Sequence, residues 1–159
     1  MGWQETHLHR FGIGGRRYAE ELEDTGDDGQ LEAEIRLCDV IVSEKAKFAY
    51  EYDFGDGWYH ELQVERIDEI PKGHCLRVTC LDGKRSCPPE DVGGTDGYAE
   101  FLRAIKNSRH PEHESFREWA GDEFDPARFD IDEVNTELAK YARWSRPRVL
   151  DQDLQVPRI

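Results

Sequence analysis

The stretch Tyr50-Glu-Tyr-Asp-Phe-Gly-Asp-Gly-Trp-Tyr-His-Glu-Leu-Gln-Val-Glu65 decides the fold. Apolar and polar residues alternate by twos on both sides of Gly55-Asp56-Gly57, which is the pattern of a β-hairpin. A two-residue loop would set Asp53 opposite Trp58 and place apolar residues against charged ones. A three-residue loop over 55–57 instead pairs Phe54 with Trp58, Tyr52 with His60, Tyr50 with Leu62 and Phe48 with Val64. Because a slip of one residue sends every side chain to the other face, this second register is the predicted one. Gly57 then takes the left-handed conformation that closes the turn. In that register Tyr52, Phe54, Trp58 and His60 share a buried face, while Glu51, Asp53 and Glu61 point away.

Upstream, residues 7–18 read as a short strand, a Gly14-Gly15 turn and the start of a second strand. Residues 20–34 hold eight acids and no Lys or Arg, the composition of a solvated loop. The acids lack the fixed alternation and closing glutamate of an EF-hand. Residues 37–42 are short and apolar. Downstream of the hairpin, Pro71-Lys-Gly73 predicts a turn, residues 75–81 a strand, and residues 82–94 a loop held open by Pro88 and Pro89. Tyr98, Phe101, Leu102 and Ile105 recur at helical spacing behind Asp96, the expected cap. Pro111, Glu112 and Glu114 suit the start of a second helix, which buries Phe116 and Trp119 and stops at Gly121. A third starts near Asp130, turns Ile131, Val134, Leu138 and Tyr141 inward, and ends before Pro147. The whole is an α+β domain over residues 1–143: an antiparallel sheet with a central hairpin, covered by about three C-terminal helices, with a tail at 144–159.

Composition narrows the function classes. A net charge of −14 disfavours nucleic acid and anionic membranes, whose phosphates need clustered Lys and Arg. No apolar run reaches the ~18 residues of a membrane span. The N-terminus has no signal-peptide pattern, so a cytoplasmic protein with reduced cysteines is expected.

Tyr52-Asp-Phe-Gly-Asp-Gly-Trp-x-His60, Cys87-Pro-Pro-Glu-Asp-Val-Gly-Gly94 and the Gly97-Tyr98 that opens a helix resemble the plasmid pRi-A ORF-three-like family. Its members are also catalogued as insertion-element passengers or "TnpR-like" proteins. The segments at 2–11 and 124–138 are similar to further parts of that family, so the resemblance covers residues 2–138. It implies a compact α+β domain without an established activity. It also implies a first strand and helix ahead of residue 2, which this sequence lacks. An unpaired strand near 7–13 and an uncovered core would then favour self-association through that N-terminal sheet edge. Val92 stands where members often carry a cysteine.

Three chemistries are conceivable. Cys75, Cys80 and Cys87, with His60, are candidate ligands for zinc, although Cys-x4-Cys-x6-Cys lacks the paired short spacings of zinc ribbons. Asp56, His60, Glu90 and Asp91, joined by His7 and His9, could hold a divalent ion or perform acid–base catalysis, as in a metal-dependent hydrolase. Against this, Glu90 and Asp91 could cap amides around Gly93-Gly94 while Asp56 stabilises its own turn. A DNA-associated transposition accessory would rest on the tail's Lys140, Arg143, Arg146, Arg148 and Arg158, with no recognition helix before it. No serine sits in a nucleophile motif, and no phosphate-binding glycine loop is present. The sequence thus predicts a non-enzymatic accessory or interaction domain with a protein partner and no resident cofactor.

Overall fold

The computed structural model describes residues 2–21, 23, 29–69, 78–121 and 123–150, with side chains as far as residue 140. The predicted turn at 71–73, Cys75 and the calcium-like acids at 24–28 lie outside the described residues, as does the side chain of Tyr141. Five strands form one sheet: β1 (His9–Ile13), β2 (Arg16–Ala19), β3 (Gln30–Leu31), β4 (Lys47–Tyr52) and β5 (Trp58–Gln63). Their order is β3-β2-β1-β4-β5. Every pairing is antiparallel except the two-residue β2–β3 contact. Gly14 and Gly15 both have positive φ, as a two-residue hairpin turn requires.

Two expectations are corrected here. The strand near 7–13 is not an unpaired edge, because β1 is hydrogen-bonded to β2 on one side and β4 on the other. The central β4–β5 hairpin also forms one flank of the sheet, with β5 at its border.

The hairpin keeps its predicted face but not its predicted register. Tyr52 pairs with Trp58, Tyr50 with His60 and Phe48 with Leu62, so the loop runs over residues 53–57. The cause is Asp53, which turns left-handed (φ 54°) and accepts N–H bonds from Gly55 (2.9 Å) and Asp56 (3.3 Å). This Asx-type turn ends the strand early. A shift of two residues preserves the alternation, so Tyr52 and Trp58 remain buried, at 1% and 8% exposure. Asp53 is buried rather than outward-pointing, and Phe54 leaves the stripe to lie under the Arg10 guanidinium, 4.9 Å from its ring centroid.

The chain divides into two compact units, residues 1–68 with 87–124, and residues 69–86 with 125–159. In the first, Tyr52, Trp58, Val92 and Phe101 form a buried nucleus with helices α2 (Gly94–Lys106) and α3 (His113–Ala120). Val92 therefore serves as a core residue. Trp119 is half exposed rather than buried, although its ring meets Phe101 edge-on. A second nucleus, Ile13, Tyr18 and Ile41, lies under a 3-10 turn (Glu32–Glu34) and the four-residue helix α1 (Leu37–Val40). The predicted loop at 20–34 thus ends in a strand and a helical turn.

In the second unit, α4 (Ile131–Leu150) continues through Pro147 instead of ending before it. A proline lacks the N–H and so removes a single helical hydrogen bond, which a last turn can lose and still persist. Ile131, Val134 and Leu138 are partly buried. Asn135 holds the 78–81 segment through paired bonds to the Cys80 N–H (2.7 Å) and carbonyl (3.0 Å), which satisfies that backbone without the expected strand. Among the described residues no helix is long and apolar enough to cross a membrane.

Candidate functional site

The predicted site residues converge on a joint between the hairpin tip and the start of α2, each with a partner of its own. Asp56 does not stabilise its own turn. Its Oδ2 accepts the N–H of Gly93 (3.0 Å), the left-handed cap residue of α2. A helix start leaves N–H groups unpaired and favours negative charge, so Asp56 caps α2 from the hairpin tip, 37 residues earlier in the chain. The expected cap, Asp96, instead lies within the first turn. Gly94 has φ 66° and rests against the Asp56 carbonyl, where a side chain would collide. The Gly-Asp-Gly and Val-Gly-Gly motifs are thus two halves of one contact.

Glu90 does not cap Gly93-Gly94 either. Its carboxylate accepts the Tyr52 hydroxyl (3.0 and 3.2 Å) and the backbone N–H of Gln4 (2.9 Å). Burial and this carboxylate both raise the Tyr52 phenol. Trp3 donates its indole N–H to the Pro88 carbonyl (3.1 Å) and stacks on Tyr52. His60 also meets Trp3, edge-on at 5.4 Å, with Nδ1 at 3.3 Å from the Tyr50 carbonyl. Asp91 turns toward His7, with 3.2 Å from Oδ1 to Nε2. His9 belongs elsewhere, pairing with Glu32 at 3.0 Å beside the second nucleus. Among the described residues the ligating groups that cluster at this joint are His7, Asp53 and Asp91, not the expected quartet; His9 with Glu20 and Glu32, and His110 with Glu100 and Glu112, form two further groups elsewhere.

Among the described residues Cys80 and Cys87 fall in no ligating cluster. Cys80 donates its thiol to the Asp82 carbonyl, and burial pushes the Cys87 thiol up to about 11. Cys38 is exposed and free.

Burial pushes the Tyr50 phenol up to about 12, with the charges of Tyr52, Glu5, Glu32 and Glu20 acting in the same direction. A phenol raised above its ordinary 10.0 stabilises the fold below pH 10, and that contribution is lost as pH rises toward 12. The melting temperature is accordingly expected to fall over that window, and to fall less steeply in Tyr50→Phe. Parallel profiles for the two proteins would contradict this origin.

The feature that sequence reasoning missed is an open apolar groove of about 410 Å³ beside the second nucleus. Phe11, Ile13 and Phe48 form its floor on the sheet, and Ile35, Leu37 and Val40 form its wall. Leu37 is 56% exposed there. The alternating Phe11, Ile13, Phe48 and Leu62 signal a buried sheet face; no local pattern signals that its roof is incomplete.

Comparison with known proteins bears on this geometry. The family model described as plasmid pRiA4b ORF-3-like protein matches residues 1–133, which include the hairpin tip, the Pro-Pro loop and α2. The chain belongs to this family. A relative, the uncharacterized protein y4hQ of Sinorhizobium fredii, is 35% identical over 153 residues, covering 92% of this chain and 77% of that protein. The crystal structure of a protein of unknown function, MM3350 of Methanosarcina mazei Go1, is similar with a TM-score of 0.70 and 36% identity, over 82% of this chain and 74% of that one. No activity is established for these relatives, and the family assignment carries the fold rather than a reaction.

Proposed function

We propose that this chain is a non-catalytic interaction module that takes up an apolar segment of a protein partner in the groove beside β1 and α1. The single observation that carries the reading is the groove: about 410 Å³, walled by apolar side chains and open to solvent. Large exposed apolar surfaces mark binding sites more often than they mark folding needs. The partner's chemistry follows from charge. Glu32 lines the groove, Glu34 shares its 3-10 turn, and the chain carries −14 overall, so apolar anchors flanked by Lys or Arg suit it best. The alternative, acid–base catalysis by Asp56, His60, Glu90 and Asp91, is less well supported, because three of the four spend their polar atoms on the backbone or on a core hydroxyl.

Selection of random peptides displayed on phage against the purified chain tests this. Recovered binders are expected to carry two or more apolar anchors with adjacent basic residues. Their affinity should fall about tenfold or more in Leu37→Asp, the scale of ~1.4 kcal/mol or above for a charge forced into an apolar contact. Leu37 is exposed, so this change should leave folding intact. Binders indifferent to Leu37→Asp would contradict the proposal.

A further inference from the structure

His7, Asp53 and Asp91 come from three separate parts of the chain: the segment before β1, the hairpin tip, and the loop ahead of α2. Their ligating atoms all lie within 4.8 Å of one another. His7 Nε2 is 3.2 Å from Asp91 Oδ1 and 3.8 Å from Asp53 Oδ2. Donors bound to one tetrahedral zinc at ~2.1 Å stand about 3.4 Å apart, so these separations need only small adjustments.

Asp53 supplies the second, independent observation. Its side chain is 9% exposed, and Oδ1 is used by the amides of Gly55 and Asp56. Among the described residues Oδ2 accepts no hydrogen bond, since His7 lies outside hydrogen-bonding reach. Oδ2 faces the His7 imidazole nitrogen at 3.8 Å and is not a sealed, partnerless atom, so this oxygen of a largely buried aspartate is still open to a cation. The surroundings hold the donors in place: the His7 ring stands edge-on to buried Tyr52, and Asp53 and Asp91 both occupy the left-handed conformation that aspartate tolerates. Asp91 is 73% exposed, so an ion has an entry path and room for water on its outer side.

We propose that these three residues bind one zinc ion, which clamps the N-terminal segment onto the hairpin tip and the loop before α2. One imidazole and two carboxylates suit zinc among the borderline cations and bind it more tightly than manganese. This site is separate from the groove, and its role is to fasten a joint that Glu90 and Asp56 already make.

Isothermal titration of the chelator-treated protein with zinc chloride tests the assignment. One equivalent is expected to bind the native chain. Affinity should drop at least tenfold in Asp91→Asn and in His7→Gln, both confirmed as folded by circular dichroism. His110→Gln, in another histidine–carboxylate group, should bind as the native chain does. Asp91 is exposed and asparagine accepts a left-handed backbone, so that variant separates ligation from folding. Absence of binding, or binding of equal strength in the native chain and in Asp91→Asn, would overturn the proposal.

Discussion

Phe101→Ala is expected to destabilise the first unit by about 3–5 kcal/mol, the usual cost of deleting a fully buried phenylalanine ring. Phe101 is 0% exposed and is the hub of the helical side of the core. Its ring centroid lies 5.3 Å from Phe124, 5.5 Å from Phe116, 5.8 Å from Trp119 and 6.0 Å from Tyr98. Alanine there removes the ring's transfer free energy and opens a cavity among aromatic neighbours, which are too rigid to collapse into it. Against a total stability of roughly 5–15 kcal/mol, the loss would leave little. Urea unfolding measures it. A cost under about 1 kcal/mol would mean that the four rings close over the gap, at variance with this packing.

Gly97→Ala sets two effects against each other. Helix propensity alone makes alanine better than glycine by about 1 kcal/mol in a helix interior. The added Cβ, however, would drive into the Val92 carbonyl oxygen, a backbone atom held by the buried Val92 side chain. Overpacking against a fixed atom costs typically 1–3 kcal/mol, so the clash should win and the variant should be less stable. A thermal melt that moves upward would show that the loop before α2 yields, and that the glycine is not required by close approach.

The sequence made the faces of this fold legible more readily than its registers and partners. Alternation around 50–65 placed Tyr52, Trp58 and His60 on one side because parity is insensitive to a two-residue change in loop length. The same insensitivity hid the loop's true extent, which depends on Asp53 leaving the strand in a left-handed turn. Gly14-Gly15 announced its hairpin, since few other residues accept two successive positive φ angles. Asp56 as a cap for Gly93, and Asp91 facing His7, are contacts between residues far apart in sequence. No local pattern encodes such pairs. The helix at 131–150 overrode its proline, and Trp119 sits at a helical position that the first unit leaves half uncovered. For Asp56, Asp91 and Trp119 it was tertiary context, absent from a single sequence, that decided between local options.

The central claim is that the chain works by holding a partner segment in the apolar groove. Nuclear magnetic resonance mapping of a selected basic-apolar peptide, titrated into the labelled native chain, tests that claim most directly. The expected shifts centre on Phe11, Ile13, Ile35, Leu37 and Val40, with Asp56 and Glu90 unaffected. Shifts centred on Asp56, His60 and Glu90, with the groove silent, would contradict it.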